Sequence, residues 1–167
     1  RHFLEQCLYS VQKAAAGMQC EVVVIDNNST DGSIQYLSPN FPQVTFIANN
    51  ENVGFAKACN QGLAQAMGKY ILFLNPDTIV PEDCFEKCIS FLATNISTGA
   101  LGIRMLDGSG KFLKESKRAF PDPVTSLFKL FGFANLFPRS KTFARYHLGH
   151  LDEHKTNEVD VLAGAFM

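Results

Sequence analysis

Four consecutive β-branched residues, Val22-Val23-Val24-Ile25, run straight into the polar cluster Asp26-Asn27-Asn28-Ser29-Thr30-Asp31-Gly32-Ser33. No other feature constrains the fold as much. The run leaves no alternate position for solvent, so it reads as a central strand buried on both faces, as in a parallel sheet. The surrounding pattern agrees. Leu4, Leu8, Val11 and Ala15 recur at helical spacing and predict an amphipathic helix over residues 2–16. A short helix over Ser33–Leu37 follows the polar cluster, and Val44-Thr45-Phe46-Ile47 is the next extended run. Phe55, Cys59, Leu63 and Met67 mark another helix, with Asn52 as its N-cap. Tyr70-Ile71-Leu72-Phe73-Leu74 predicts a third buried strand. Pro81, Glu82 and Asp83 then open a helix whose buried stripe is Phe85, Cys88, Ile89 and Leu92. Alternation of this kind predicts an α/β sandwich with a mostly parallel central sheet, which binds ligands beyond the carboxyl ends of its strands.

Beyond residue 98 the pattern changes. Leu101–Leu106, the turn Asp107-Gly108-Ser109-Gly110 and Lys111-Phe112-Leu113 read as a hairpin. Residues 114–157 are irregular, with one short helix at Val124–Phe131, and strand-like composition returns over Val159–Met167.

Three polar clusters follow the extended runs. In the first, Asp26 is placed to accept hydrogen bonds from a base or ribose, while Asp31, Gly32 and Ser33 suit a capped turn. The second, Asn49-Asn50-Glu51-Asn52-Val53-Gly54-Phe55, opens a helix, where glycine lets a phosphate approach free N–H groups and Lys57 adds charge. It is neither a Walker A loop nor a dinucleotide fingerprint. Asn60 and Gly62 break the helical pattern there, as close packing or a ligand would require. The third is Asn75-Pro76-Asp77-Thr78, where Asp77 offers the oxygen ligand a hard divalent cation wants and Asn75 can reach a ribose. Each cluster alone is equally a plain turn.

Together, V-V-I-D-N-N-S-T-D-G-S, N-x-N-V-G-F-A-x-A-x-N-x-G and F-L-N-P-D-T resemble the inverting glycosyltransferase family 2, and within it a rhamnosyltransferase-like branch. The resemblance is firm over about residues 2–106 and weaker through Leu162-Ala163-Gly164-Ala165-Phe166-Met167. It implies a GT-A fold, the α/β sandwich of nucleotide-diphospho-sugar transferases, and a nucleotide-diphosphate sugar bound with Mg²⁺ or Mn²⁺. By motif, Asp26 matches the acid on the nucleobase, and Asn28, Asn52 and Gly54 lie at the nucleotide sugar. Asn75-Pro76-Asp77 matches the D-x-D element, with Asn75 near the ribose and Asp77 on the metal. Asn in the first position leaves one carboxylate for the cation. The acceptor would be a glycan or a lipid-linked sugar. Residues 1–106 would be the donor-binding part, and residues 107–167 the acceptor side of the same domain. The family's first strand, ending in T-Y-N, is expected ahead of Arg1 and its catalytic base beyond Met167. The fold is therefore expected to be incomplete at both ends and the isolated chain inactive.

Composition narrows the alternatives. Fifteen basic and 16 acidic side chains give a net charge of −1, which excludes the basic field of a general nucleic-acid binder. No apolar run reaches the roughly 20 residues of a bilayer span. Five cysteines and charged opening residues fit a reducing compartment, the cytoplasm, better than disulfides. The charge is uneven: residues 111–145 hold eight basic side chains against two acidic, +6, leaving −7 elsewhere. Phe120, Phe128, Phe131, Phe133 and Phe137 lie among them. This stretch reads either as an acceptor loop packed on its own sheet or as a peripheral contact with the inner face of the cell membrane. Cys84 and Cys88, and His147, His150 and His154, match no zinc spacing; the cysteines read as small apolar residues on a buried face and the histidines as part of a solvated connection. A non-catalytic nucleotide-sugar-binding or scaffold module remains the alternative function. A glycoside hydrolase would need two opposed carboxylic acids, which the nucleotide-like context disfavours.

Overall fold

The computed structural model describes residues 1–113, 116–120, 140, 148 and 150–167. They form two compact units, Arg1–Thr98 and Gly99–Met167. Most of the basic stretch and the short helix at Val124–Phe131 lie outside the described residues.

The first unit begins with α1 (His2–Ala14), then β1 (Val22–Asp26), α2 (Ser33–Leu37), β2 (Val44–Ala48), α3 (Phe55–Gln65) and α4 (Cys84–Thr94). β1 and β2 pair in parallel, from Val22 beside Val44 to Asp26 beside Ala48. Their crossover, α2, supplies Leu37, which with Phe41 is fully buried. Leu8 of α1 and Val44 of β2 join these two, and Leu4, Val22, Val24 and Phe46 pack against them. Tyr9 lies tilted against Phe41, ring centroids 4.9 Å apart. Removing a buried aromatic ring such as Phe41 would cost about 3–5 kcal/mol, so this cluster anchors α1 and α2 to the parallel pair.

Four expectations need correction. β1 is half-buried along its length: the core cluster and α3 both pack against it, but among the described residues β2 is the only strand paired with it, so its other edge carries no strand. Tyr70–Leu74 makes no strand: Leu74 alone sits in a bridge, and Tyr70, Ile71 and Leu72 are exposed. A strand exists through its neighbours' hydrogen bonds, and composition cannot supply a neighbour. The segment does start beside β1, since a Glu21 carboxylate oxygen accepts the Met67 and Gly68 N–H groups at 2.6 and 2.9 Å. The stripe on α3 is also misplaced. Phe55 and Leu63 are exposed, and Met67 is 89% exposed beyond the helix end, while α3 packs on β1 with Ala58 buried. Finally, α4 starts at Cys84, not Pro81. Residues 81–83 form a turn closed by Cys84 N–H to the Pro81 carbonyl, with Asp83 at the N-cap. Cys84 is its buried residue, and Ile89 is exposed.

In the second unit the hairpin forms in its narrowest version. Leu106 and Phe112 make one antiparallel bridge, Leu113 N–H reaches the Met105 carbonyl at 2.9 Å, and Asp107 N–H reaches that of Lys111 at 2.8 Å. The Asp107 carboxylate accepts the N–H groups of Ser109 and Lys111 and the Ser109 hydroxyl, closing the turn. The strand expected over Val159–Met167 shortens to β4 (Val161–Leu162), antiparallel to β3 (Lys117–Arg118). Arg104 pairs with Glu153 at 2.8 Å and lies over the Phe112 ring.

Candidate functional site

β1 and β2 are parallel and in register, so the residues after Asp26 and Ala48 emerge side by side at one end of the pair. The ladder continues one step further, Asn49 N–H donating to the Asp26 carbonyl at 2.8 Å. Asp26 itself is half-buried, and one carboxylate oxygen accepts Ser29 N–H at 3.1 Å. Asn28 bends away with φ of 67°, a left-handed conformation that asparagine tolerates better than most residues, and its side chain is exposed. The N-cap of α2 is Gly32, not Asp31; Asp31 lies one residue before it, its Oδ1 accepting both the N–H and the hydroxyl of Ser33, the first residue of α2.

The second cluster leads into α3 differently than expected. The N-cap is Gly54, not Asn52. Gly54 adopts φ 85° and ψ 160°, a region open essentially only to glycine. Asn52 acts one step earlier, its Oδ1 accepting Gly54 N–H at 3.0 Å. Gly54's own carbonyl begins the helix by accepting Ala58 N–H at 3.1 Å.

Side-chain amides join the two clusters. Asn49 Nδ2 donates to Asn27 Oδ1 and to Gln61 Oε1, both at 2.9 Å, and Gln61 Nε2 returns a bond to Asn49 Oδ1 at 3.0 Å. Asn27 Nδ2 reaches the Gly54 carbonyl at 3.5 Å. The end of β1, the end of β2 and the start of α3 are thereby tied together. Sequence reasoning missed Asn27, Asn49 and Gln61 as connecting residues. The available signal was on α3, where Ala58, Gln61 and Gly62 fall at i, i+3 and i+4 and form one face. A Cβ on Gly62 would stand 3.8 Å from Ile25 of β1, whereas Asn60 is exposed.

The third cluster is tied to α1. Thr78 N–H and the Cys7 thiol both approach the Asn75 carbonyl, at 3.2 and 3.7 Å. Ser10 Oγ accepts Val80 N–H at 3.0 Å while donating to the Cys7 carbonyl at 2.8 Å. Burial, and then the negative charge of Asp77, push the Cys7 thiol up to about 11, so it stays protonated as a donor. Asn75 is half-buried and Asp77 exposed. No hydrogen bond or ion pair among the described residues occupies the Asp77 carboxylate. Nor do these residues gather three or more His, Cys, Asp or Glu side chains that could hold a metal ion. A lone open carboxylate suits a cation that takes its remaining ligands from substrate phosphates and water, as Mg²⁺ commonly does. All five cysteines are free thiols. No helix among the described residues is long and apolar enough to cross a membrane.

Comparison with known proteins identifies the family. The family model described as glycosyl transferase family 2 matches residues 1–155. The chain is 29% identical over 93 residues to the minor teichoic acid biosynthesis protein GgaB of Bacillus subtilis, covering 53% of this chain and 10% of that protein. It is 36% identical over 78 residues to an uncharacterized glycosyltransferase of Haemophilus influenzae, covering 45% and 31%. With the dolichol-phosphate mannosyltransferase of Pyrococcus furiosus it shares 29% over 111 residues, covering 65% and 31%. The chain thus spans between a tenth and a third of the length of these relatives. It belongs to glycosyl transferase family 2, and its α/β unit with a parallel strand pair is consistent with the GT-A fold.

Proposed function

We propose that this family 2 chain forms the nucleotide-sugar side of a glycosyltransferase that passes a sugar, with inversion, to a glycan or lipid-linked acceptor. The observation that carries the reading is the union of the β1 end, the β2 end and the Gly54 turn into one amide-linked edge. Beyond the carboxyl ends of parallel strands is where such folds take nucleotides. In this reading Asp26 accepts hydrogen bonds from the nucleobase, Asn28 and Asn52 line the sugar-nucleotide pocket, and Gly54 keeps the approach to the diphosphate free of a side chain. Asn75 faces the ribose, and Asp77 holds Mg²⁺ or Mn²⁺ at the diphosphate. The cation's contribution, when bound, is to offset charge on the departing diphosphate. Inversion also needs a base for the acceptor hydroxyl, a role assigned to no residue of this chain. The Asn75-Pro76-Asp77 variant supports the rhamnosyltransferase-like branch, and the teichoic acid and dolichol-phosphate relatives support an envelope or lipid-linked acceptor. The free thiols accord with a cytoplasmic, reducing location.

The test is thermal unfolding with UDP, dTDP and GDP, each with and without Mn²⁺. A diphosphate at 100 times its Kd adds about 2.7 kcal/mol of stability. The expected outcome is a Mn²⁺-dependent rise with at least one diphosphate, and loss of the Mn²⁺ dependence in Asp77→Asn. No rise with any of the three overturns the reading.

A further inference from the structure

The amide bonds between β1, β2 and α3 contain no charged group, and none of their three side chains belongs to the proposed ligand contacts. Asn49 and Gln61 face each other through two reciprocal bonds, Nδ2 to Oε1 and Nε2 to Oδ1. Asn49 passes the connection to Asn27 at 2.9 Å, and Asn27 passes it to the carbonyl of Gly54. Gln61 lies 12 residues from Asn49 and 34 from Asn27, so no local turn requires this arrangement. Nor does the helix require it, since a polar amide on the sheet-facing side of α3 gives up apolar burial against β1. What it does fix is the distance between Asp26, the residue before Asn27, and the glycine turn at the start of α3.

We infer that Gln61 and Asn49 are positioning residues that hold the two halves of the nucleotide pocket, Asp26 and the Asn52–Gly54 turn, in their binding geometry before the ligand arrives. The inference rests on the donor-site reading above. Its physical basis is preorganisation: a pocket already ordered does not charge its ordering entropy against binding.

Gln61→Glu is the discriminating variant. Its size is unchanged, and one oxygen still accepts from Asn49 Nδ2. At neutral pH its second oxygen is an unprotonated acceptor facing Asn49 Oδ1, where the wild-type amide donates. Protonation restores a donor there. The charged groups on the flanking elements are Asp26 of β1, Lys57 of α3 and Glu51 before it. All three are present in the wild type, whose own pH profile is therefore the control.

Affinity for whichever of UDP, dTDP or GDP binds the wild-type chain is measured between pH 7.5 and 5, with melting temperature recorded at each pH. Gln61→Glu is expected to bind about tenfold more weakly at pH 7.5, the loss of roughly one net hydrogen bond. It should regain part of that factor toward pH 5, where a glutamate with an ordinary value of about 4.3 begins to protonate, relative to wild type. Gln61→Met, which cannot titrate, should be weak at both pH values and keeps the test decisive where the glutamate variant folds poorly. Unchanged affinity in both variants, or a fall in melting temperature without a fall in affinity, overturns the inference and leaves the donor-site reading standing. Failure of the wild-type chain to bind any of the three diphosphates overturns the donor-site reading, and the positioning role with it.

Discussion

Replacing Ser10 by alanine should destabilise the first unit by about 1–3 kcal/mol, the cost of leaving a buried backbone N–H without a partner. The figure follows from which of the two Ser10 bonds matters. The hydroxyl donates to the Cys7 carbonyl three residues back, a local bond that helices do without at little cost. It also accepts Val80 N–H at 3.0 Å across 70 residues, and Val80 is only 3% exposed. Alanine at position 10 removes the acceptor at a site where serine is itself 8% exposed. Urea unfolding of both chains gives the difference, with the denaturant slope unchanged because the same surface is exposed. Amide exchange of Val80 should accelerate about tenfold for each 1.4 kcal/mol lost locally. Ser90→Ala on α4, where the serine is exposed, is the control and should stay within about 0.5 kcal/mol. A Ser10→Ala effect as small as the control's would refute the claim that α1 restrains the chain after Asn75-Pro76-Asp77.

The two glycines bracketing Gln61 should respond with opposite signs. Gly54→Ala should cost about 1–3 kcal/mol, since φ 85° with ψ 160° is strained for any side chain, although no atom stands within 4 Å of the new Cβ. Gly62→Ala should stabilise by roughly 0.5–1 kcal/mol, because its Cβ meets Ile25 at an ordinary 3.8 Å and the helix gains propensity. Urea midpoints decide both, and a shared sign would refute the argument. The Asp107 carboxyl is held below its ordinary value of 3.8, first by the Ser109 hydroxyl and then by the N–H groups of Lys111 and Ser109. A depressed carboxyl stabilises fully above its unfolded value, and that stabilisation is lost as pH falls through the folded one. The Ser109 and Lys111 amide resonances should therefore titrate with a midpoint under 3.8, and a midpoint at or above it would remove the turn's role. On α4, a hydrogen bond from the Cys84 thiol favours the Cys88 thiolate and disfavours that of Cys84. Iodoacetamide near pH 8 should modify Cys88 well before Cys84 or buried Cys7, as peptide mapping would show, and equal rates would count against the pairing.

What the sequence discloses and what it withholds divide along physical lines. α1, α2, α3, β1 and β2 are legible because each rests on a local pattern, helical spacing or a β-branched run, with turn residues at its end. Tyr70–Leu74 is an unbroken apolar run like Val22–Ile25 and is not a strand, because pairing belongs to two segments and cannot be read from one. On α3 the periodicity identifies a helix but not its inner face. Phe55 and Leu63 are larger than Ala58, yet a close approach to β1 selects the small residues Ala58 and Gly62. The polar clusters are visible as turns, and the family motif orders them. The side chains that join them are far harder to read: Asn27 and Asn49 are unremarkable in their own segments, and Gln61 shows only by sharing one face of α3 with Ala58 and Gly62.

The two halves of the proposed site differ in what holds them, and this should appear in their response to solution conditions. The nucleotide half is fixed by neutral amides whose bonds neither titrate nor respond to screening, so its geometry should hold across ordinary changes of pH and salt. The Asn75–Asp77 half depends on an exposed carboxylate, whose attraction for a divalent cation falls within a Debye length of about 8 Å at physiological ionic strength. Raising salt should therefore weaken the metal-dependent part of diphosphate binding and spare the metal-independent part. Titrations of UDP, dTDP and GDP at low and high KCl, with and without Mn²⁺, separate the two. Equal salt dependence with and without the cation would mean that Asp77 does not carry the metal's contribution.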